Sequence, residues 1–131
     1  EDVFGNEIAW HDKYISEPNV LVNISNDAWY GKSIAAEQHL QISQARAIEN
    51  KRMMIRSTNT GVTAFIDRDG KVLKKLPQFI SGELKHSVQG YSGATPYMLF
   101  NNYIIYFLCI SILLVYFRLS IFINFKKLFF K

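Results

Sequence analysis

The sequence predicts an α/β domain followed by one membrane-spanning helix. Two observations lead to this prediction. Short β-branched runs alternate with a long helical stretch in the first ninety residues, and an uncharged apolar segment follows near the C-terminus. The 131 residues are 49% hydrophobic, which excludes a disordered chain. The single cysteine, Cys109, excludes an intramolecular disulfide framework and any metal site built from several cysteines.

The first predicted elements are a strand, a loop and a helix. Residues 19–24 form a short apolar run after Pro18, which is typical of a buried strand, and residues 25–31 form a turn-rich loop. Ser33 is expected to cap a helix that extends to about Lys51, because this stretch contains no Gly or Pro. One face of this helix is expected to carry Ile34, Gln41, Ala45 and Ile48.

The remaining elements of the domain are predicted to be strands. Residues 53–57 and 62–67 are separated by a polar break, and Asp69-Gly70 predicts a hairpin turn from which residues 71–76 return. Residues 82–88 are expected to form a last, weak strand. So few elements leave one face of the sheet bare, which is the pattern of the back half of a layered α/β fold.

The net charge of +4 lies entirely in the last part of the chain. Residues 1–97 carry eleven basic and eleven acidic residues, whereas the rest contributes only Arg118, Lys126, Lys127 and Lys131. The charge is therefore not spread over the domain as in a nucleic-acid-binding surface, and no nucleic-acid partner is expected.

The same C-terminal region predicts a membrane span. Residues 98–117 contain no charge, and a helix needs about 20 apolar residues to cross a bilayer core of about 30 Å. We expect a linker at residues 91–97, a transmembrane helix at residues 98–125 and a basic tail at residues 126–131. The positive-inside rule places that tail in the cytoplasm and residues 1–97 on the opposite side. A buried core helix is the alternative.

Several short motifs stand in order along the chain. They are residues 23–31 (Asn-Ile-Ser-Asn-Asp-Ala-Trp-Tyr-Gly), Gln38-His39, residues 56–61 (Arg-Ser-Thr-Asn-Thr-Gly), Pro77-Gln78-Phe79 and Thr95-Pro96-Tyr97. Their residues and order resemble the apolipoprotein N-acyltransferases, a branch of the nitrilase, or carbon–nitrogen hydrolase, superfamily. The resemblance implies that residues 1–90 are the C-terminal portion of a nitrilase-like layered αββα domain, followed by one transmembrane helix.

The resemblance also implies a reaction and its partners. Members of this family transfer a fatty acyl chain from a phospholipid donor to the N-terminal diacylglyceryl-cysteine of a lipoprotein acceptor. A Cys thiolate acts as nucleophile, a Glu as general base, and a Lys stabilises the oxyanion, so neither a cofactor nor a metal is expected. The implied location is the inner membrane, with residues 1–97 periplasmic and the C-terminal tail cytoplasmic.

None of these three catalytic residues can be assigned in this chain. In the family the nucleophile lies in a Cys-Tyr-Glu motif, and Glu1 matches its Glu, so Glu1 is expected to support the site. We therefore expect the chain to be the C-terminal part of the enzyme, with the N-terminal half of the same enzyme as a partner. Cys109 is not the expected nucleophile, because it lies within the apolar segment with no base nearby.

Two polar segments are expected to bind substrate. Asp27, Trp29 and Tyr30 follow a strand end, where α/β folds place ligand-binding loops, and the resemblance makes this loop a wall of the active-site cavity. The second segment resembles a family motif and comprises Arg56, Ser57, Thr58 and Asn59. Two alternatives remain open: Asp27 caps a turn while Trp29 fills the core, or Lys51, Arg52 and Arg56 form an ordinary solvated patch.

Three functions therefore remain. The first is the acyltransferase, of which this chain alone would be inactive. The second is a non-catalytic module, either the remnant of a decayed gene or half of a split enzyme. The third is a membrane-tethered amidase of the nitrilase type, which releases ammonia. His39 is expected to pack or to form hydrogen bonds rather than to act in catalysis.

Overall fold

The computed structural model describes residues 2–14 and 17–129, which belong to two compact units, Glu1–Leu99 and Phe100–Lys131. Two residues with predicted roles, Glu1 at the expected site and Lys131 in the basic tail, lie outside the described residues. The mixed α/β class predicted from the sequence is confirmed. The elements of the first unit, with the short helix α3 that ends it, are α1 (Gly5–Tyr14), β1 (Val20–Ser25), α2 (Ala35–Asn50), β2 (Met53–Thr58), β3 (Thr63–Ile66), β4 (Val72–Leu76) and α3 (Pro96–Phe100).

The four strands form one sheet in the order β1-β2-β3-β4. Strand β1 is parallel to β2, with α2 as the connection between them, while β2, β3 and β4 are antiparallel neighbours. The predicted hairpin is present: Gly70 adopts a φ of 81°, and Asp67 N–H donates to Lys71 O at 2.9 Å.

One face of the sheet is covered and forms the core. Leu21, Met54 and Ile66 point to this face and pack with residues of α2 and with Val62 in the β2–β3 connection. The core cluster comprises Leu21, Leu40, Ala47, Met54, Val62, Ala64 and Ile66. Ile8 of α1 packs against the same cluster. The helices therefore lie on the side of the sheet from which Arg56 also projects, two residues beyond Met54.

The inward face of α2 differs from the expected one. Its buried residues are Ala36, His39, Leu40, Ser43, Ala47 and Asn50, whereas Ile34 and Ile48 are exposed. The cap is also displaced: Ile34 occupies the N-cap position, and Ser33 Oγ accepts from Ala35 N–H at 3.3 Å. On this face His39 and Ser43 contact the polar end of the sheet, whereas Leu40 and Ala47 belong to the apolar core.

The opposite face of the sheet is only partly covered. Val22 is 63% and Ile24 82% exposed, as expected for a bare face. Residues 77–95 cover part of the rest, with the His86 ring 5.5 Å from that of Phe65 and Gln89 N–H donating to Met53 Sδ at 3.2 Å.

The strand predicted at residues 82–88 is not formed, and that prediction is wrong. This segment is mostly exposed, and its Lys85 O accepts a hydrogen bond from the side chain of β4 residue Lys74, Nζ to O 2.9 Å, rather than from the β4 backbone. It contributes no backbone ladder to β4 because its sequence offers a Gly and several charged residues rather than a β-branched run.

The second unit is dominated by α4 (Tyr103–Phe129). Asn101, with a φ of 48°, separates it from α3, so the long helix begins five residues later than the predicted span. Residues Tyr103–Ser120 have a mean hydropathy of 2.0 and none is buried. This helix is long and apolar enough to cross a membrane, while residues 91–95 before α3 have no helical structure.

Candidate functional site

Arg56 is the centre of a buried polar cluster at the carboxyl end of β1. The parallel register places Arg56 beside Asn23 and Thr58 beside Ser25, on the face that the helices cover. Because the apolar core ends at Leu21 and Met54, the next inward positions of both strands carry polar side chains. Ligand-binding residues of α/β folds are commonly found at this end of parallel strands.

The Arg56 guanidinium is completely buried and contacts two carboxylates. Its Nη2 donates to Asp27 Oδ2 at 2.9 Å and its Nη1 to Asp2 Oδ2 at 3.2 Å. The same two nitrogens donate to three neutral oxygens: Asn23 Oδ1 at 3.1 Å, Ser43 Oγ at 2.8 Å and Ser25 Oγ at 3.3 Å. A buried cation needs this degree of pairing, because removing it from water is otherwise strongly unfavourable.

His39 of α2 lies between the same two carboxylates. Its Nδ1 is 3.0 Å from Asp27 Oδ1 and its Nε2 is 2.8 Å from Asp2 Oδ1. One turn further along the helix, Ser43 Oγ donates to Asp2 Oδ2. The cluster thus joins the segment at Asp2, the loop after β1, helix α2 and strand β2. We refer to Asp2, Asp27, His39, Ser43 and Arg56 as the charged cluster.

The pKa of Asp2 is lowered by its partners in this cluster. Burial raises the pKa of this carboxyl, but the hydrogen bonds from Ser43 and His39 and the positive charges of His39 and Arg56 lower it by more. The net pKa of Asp2 lies below its usual range, so the carboxylate is ionised at neutral pH.

The loop after β1 is fixed to the β2–β3 connection by side-chain amides. Asn59 Oδ1 accepts from Asp27 N–H at 3.0 Å, and Asn59 Nδ2 donates to Asn26 Oδ1 at 2.7 Å. Gly61 lies directly against the Asp27 side chain, and a Cβ there would be 2.8 Å from Asp27 Cγ. Two segments expected to bind substrate are therefore in contact.

The two aromatic residues of the loop are directed differently from its acidic residue. Trp29 is 88% exposed, so the alternative that it fills the core is wrong for this structure. Tyr30 is also exposed, with its ring edge-on to that of His39 at 6.0 Å between centroids. Ser57 projects to the uncovered face of the sheet and is exposed, whereas Thr58 lies on the cluster's side and accepts a hydrogen bond through its backbone from Thr63.

The charged residues around Lys51 do not form a solvated patch. Arg56 is buried in the cluster, and Arg52 is buried elsewhere, donating to Pro18 O at 2.7 Å and to Gly93 O at 2.6 Å. Only Lys51 is exposed, where it pairs with Asp69. Arg52 therefore fixes the segment around Gly93 to the sheet.

A cleft of about 320 Å³ opens beside the charged cluster. Asp2, Glu7, His11 and Asn23 form its polar wall, and Ile8 and Leu21 lie on its apolar side. Within residues 2–14 and 17–129, no group of three or more His, Cys, Asp or Glu side chains could hold a metal ion. The arrangement offers a polar cleft bordered by a charged cluster and an exposed aromatic loop.

Sequence reasoning identified Asp27 and Arg56 as site residues but did not connect them with their partners. Asp2 carries no local signal, because its partners are 37 or more residues away. His39 and Ser43 are four residues apart in a helix, so their spacing in the sequence predicts that both side chains lie on the same helix face. Asn23 is likewise two residues beyond Leu21 along a strand.

The chain is similar to named proteins over nearly its whole length. It is 49% identical over 127 residues to an apolipoprotein N-acyltransferase of Nitrosomonas europaea, covering 97% of this chain and 25% of that protein. Relatives of the same name from Ralstonia nicotianae and Pasteurella multocida are 48% identical over 103 residues and 41% over 115, covering 78% and 88% of this chain. The resemblance stated from the motifs is thereby confirmed.

The chain corresponds to only part of the length of these relatives. It spans a quarter or less of the length of the curated relatives it matches, 20% of the Ralstonia nicotianae protein and 22% of the Pasteurella multocida protein. The family model for carbon-nitrogen hydrolases matches residues 9–97, which is more than half of the chain. The chain therefore belongs to the carbon–nitrogen hydrolase family.

Proposed function

We propose that this chain forms the C-terminal part of an apolipoprotein N-acyltransferase. In this role it contributes to moving a fatty acyl chain from a phospholipid to the N-terminal diacylglyceryl-cysteine of a lipoprotein. The observation that carries the proposal is the 49% identity, over 97% of this chain, to a protein of that name. The Cys, Glu and Lys of the family's reaction lie in the upstream portion of the enzyme, with which this chain packs.

The charged cluster supports a wall of the active site in this proposal. Arg56 and Asn59 hold Asp27, which fixes the start of the loop, and the exposed Trp29 and Tyr30 are free to contact an acyl chain. Ser57 and Thr58 lie on opposite faces of β2, paired with Ile24 and Ser25 just before the loop. The uncovered apolar face at Val22 and Ile24 supports packing against the upstream portion.

The long apolar helix supports a location in the inner membrane. In the proposal α4 crosses the bilayer, residues 1–97 are periplasmic and the basic residues of the tail lie in the cytoplasm. The support is the helix's length, its mean hydropathy of 2.0 over Tyr103–Ser120 and the concentration of positive charge after it.

A chimera tests the acyltransferase. In the Nitrosomonas europaea relative, the segment that this chain matches is replaced by this chain, and the chimera is expressed in cells depleted of their own enzyme. Mass spectrometry of lipoproteins then measures N-acylation. The matched control carries alanine in place of the cysteine of the family's Cys-Tyr-Glu motif.

The expected result is N-acylated lipoprotein with the chimera and none with the control. Release of ammonia from small amides without N-acylation would instead support the nitrilase-type amidase. A chimera that accumulates in the membrane but carries out neither reaction would overturn the proposal and support a non-catalytic module.

A further inference from the structure

His39 makes two contacts that a neutral imidazole cannot satisfy together. Each ring nitrogen faces a carboxylate oxygen, Asp27 Oδ1 at 3.0 Å and Asp2 Oδ1 at 2.8 Å. An ionised carboxylate only accepts hydrogen bonds, and a neutral imidazole carries a hydrogen on one nitrogen only. Both contacts are hydrogen bonds when both nitrogens carry hydrogen, so the geometry favours the imidazolium.

The charge balance of the cluster leads to the same conclusion. Asp2 and Asp27 contribute two negative charges and Arg56 one positive charge, all in side chains at most 3% exposed. An imidazolium at His39 makes the charged cluster neutral, whereas a neutral imidazole leaves one uncompensated negative charge in a buried site. Uncompensated buried charge is strongly unfavourable.

Other groups face His39 from the elements packed around α2. Tyr30 lies edge-on to its ring, and Arg56 on β2 contacts both of its carboxylate partners. From α1, Glu7 and His11 line the cleft beside Asp2. Strand β3, which also contacts α2, has the sequence Thr-Ala-Phe-Ile and so carries no ionisable side chain.

We propose that His39, with hydrogen on both ring nitrogens, is a positioning residue that holds the segment at Asp2 against the loop at residues 26–31. The inference rests on the proposed function. In that enzyme Asp2 follows the Glu of the family's nucleophile motif by one residue, and Asp27 begins the loop that forms a wall of the cavity. His39 thereby fixes the distance between the nucleophile's segment and that wall.

The protonation of His39 is measured on the full chain without reference to activity. The chain contains three histidines, so selective ¹⁵N labelling of the imidazole rings gives three pairs of nitrogen signals, and the pair that is absent from the His39→Gln variant belongs to His39. At pH 6 we expect two N–H signals from His39. A single N–H, meaning a neutral tautomer, would overturn the proposal. If His39→Gln fails to fold, the His11→Gln and His86→Gln variants assign the other two rings and leave the remaining signals to His39.

Hydrogen exchange measures whether His39 holds the two segments. His39→Gln cannot donate to both carboxylates through a ring and is expected to increase exchange in residues 2–8 and 26–31 together. The matched control is His86→Gln, which alters an exposed histidine against Phe65 and is expected to leave exchange in both segments unchanged. Unchanged exchange in either segment of His39→Gln would overturn the proposal.

The active chimera measures the consequence for the reaction. Misplacement of reacting groups by about 1 Å can lower a rate by about 100-fold. His39→Gln is therefore expected to lower kcat by up to that factor with little change in KM, while His86→Gln leaves both unchanged. An unchanged kcat in His39→Gln, or a change in KM alone, would overturn the positioning role. If the chimera itself is inactive, the proposed function fails, while the labelling and exchange experiments still test the contact.

Discussion

At the scale of single residues, Asp27 joins the charged cluster to the loop that follows β1. Its carboxylate contacts Arg56, His39 and Ser25, its backbone N–H is held by Asn59, and its side chain lies against Gly61. The position of the following loop therefore depends on whether this one carboxylate keeps its place. A substitution at Gly61 tests whether the loop depends on the position of Asp27 and leaves every charged residue in place.

Gly61→Ala is expected to displace Asp27. A Cβ at this position would overlap Asp27 Oδ2, the oxygen that Arg56 contacts, and would be 2.8 Å from Asp27 Cβ. Overpacking a buried site lowers the free energy of unfolding by about 1–3 kcal/mol. Urea unfolding of the full chain in detergent, followed by circular dichroism, measures the change.

The matched control for this substitution is Gly82→Ala. A Cβ at Gly82 would be 3.7 Å from Leu76 Cδ2, which is an ordinary van der Waals contact at an exposed position. Surface substitutions of this kind change stability by about 0.5 kcal/mol or less. Equal effects of the two substitutions would contradict the proposed contact between Gly61 and Asp27.

Asp2 predicts how stability depends on pH. Its folded-state pKa lies below the usual value, because the bonds from Ser43 and His39 and the nearby positive charges outweigh burial. The unfolded chain therefore binds the proton more readily, and stability present above about pH 4 is lost as the pH falls through the folded-state pKa. Unfolding curves of wild type and Asp2→Asn between pH 6 and 2.5 test this: the variant should be less stable at pH 6 and should lose less on acidification. Parallel curves would refute the assignment.

Some of these site residues could be recognised from the sequence and others could not. Asp27 and Arg56 were found because each lies in a recognisable polar segment at a strand end or within a strand. Asp2 was not found, because a buried ion pair with partners 37 or more residues away leaves no periodic or local signal. Trp29 was placed in two possible environments, and only the three-dimensional direction of the loop decides between them.

At the scale of elements, strands and turns were more predictable than helix faces. β1 to β4 follow from short β-branched runs and from Asp69-Gly70, and α2 follows from a stretch without Gly or Pro. The face of α2 was wrong because apolar residues were assumed to point inward, whereas this helix buries His39 and Ser43 against polar strand ends. Helix α1 was not predicted, because it begins with Gly5 and its few apolar residues follow no clear helical period.

The uncovered sheet face at strand β1 is expected to promote self-association of the chain. In the described part of the chain β1 pairs only with β2, and its outward residues Val22 and Ile24 are exposed. Such a strand tends to associate with other chains. Ile24→Lys is expected to reduce self-association of the full chain in sedimentation experiments while changing the free energy of unfolding by about 0.5 kcal/mol or less.

A neighbouring residue provides the control for Ile24→Lys. Leu21 lies on the same strand but points into the core, so Leu21→Lys is expected to unfold the sheet rather than to change its association. Undiminished self-association of Ile24→Lys would show that another surface is responsible. In the active chimera Ile24→Lys is expected to lower N-acylation, because the upstream portion of the enzyme is proposed to cover the sheet face that carries Val22 and Ile24.

At the scale of the whole molecule, the chain combines a neutral domain with a basic apolar helix. Residues 1–97 balance eleven basic with eleven acidic residues, and the net charge of +4 lies beyond them. The sequence made this division visible because a long uncharged run needs no tertiary information to be recognised. It could not show that the helix begins at Tyr103, since the break at Asn101 depends on a single left-handed backbone conformation.

Helix α4 is expected to insert into a bilayer, and an Arg placed either in the middle of the helix or just before it tests this expectation. Ile112 lies in the middle of Tyr103–Ser120, whereas Asn102 precedes the helix. An Arg at the centre of a membrane-spanning helix makes insertion less favourable by about 2.5–3.5 kcal/mol, with a much smaller effect near the interface. Ile112→Arg is therefore expected to lower the membrane-inserted fraction of the full chain, measured by alkaline extraction after translation with membrane vesicles, far more than Asn102→Arg. Equal inserted fractions for the two variants would indicate that α4 lies on the membrane surface or packs against protein, because only a spanning helix places residue 112 at the depth where a charge is least tolerated.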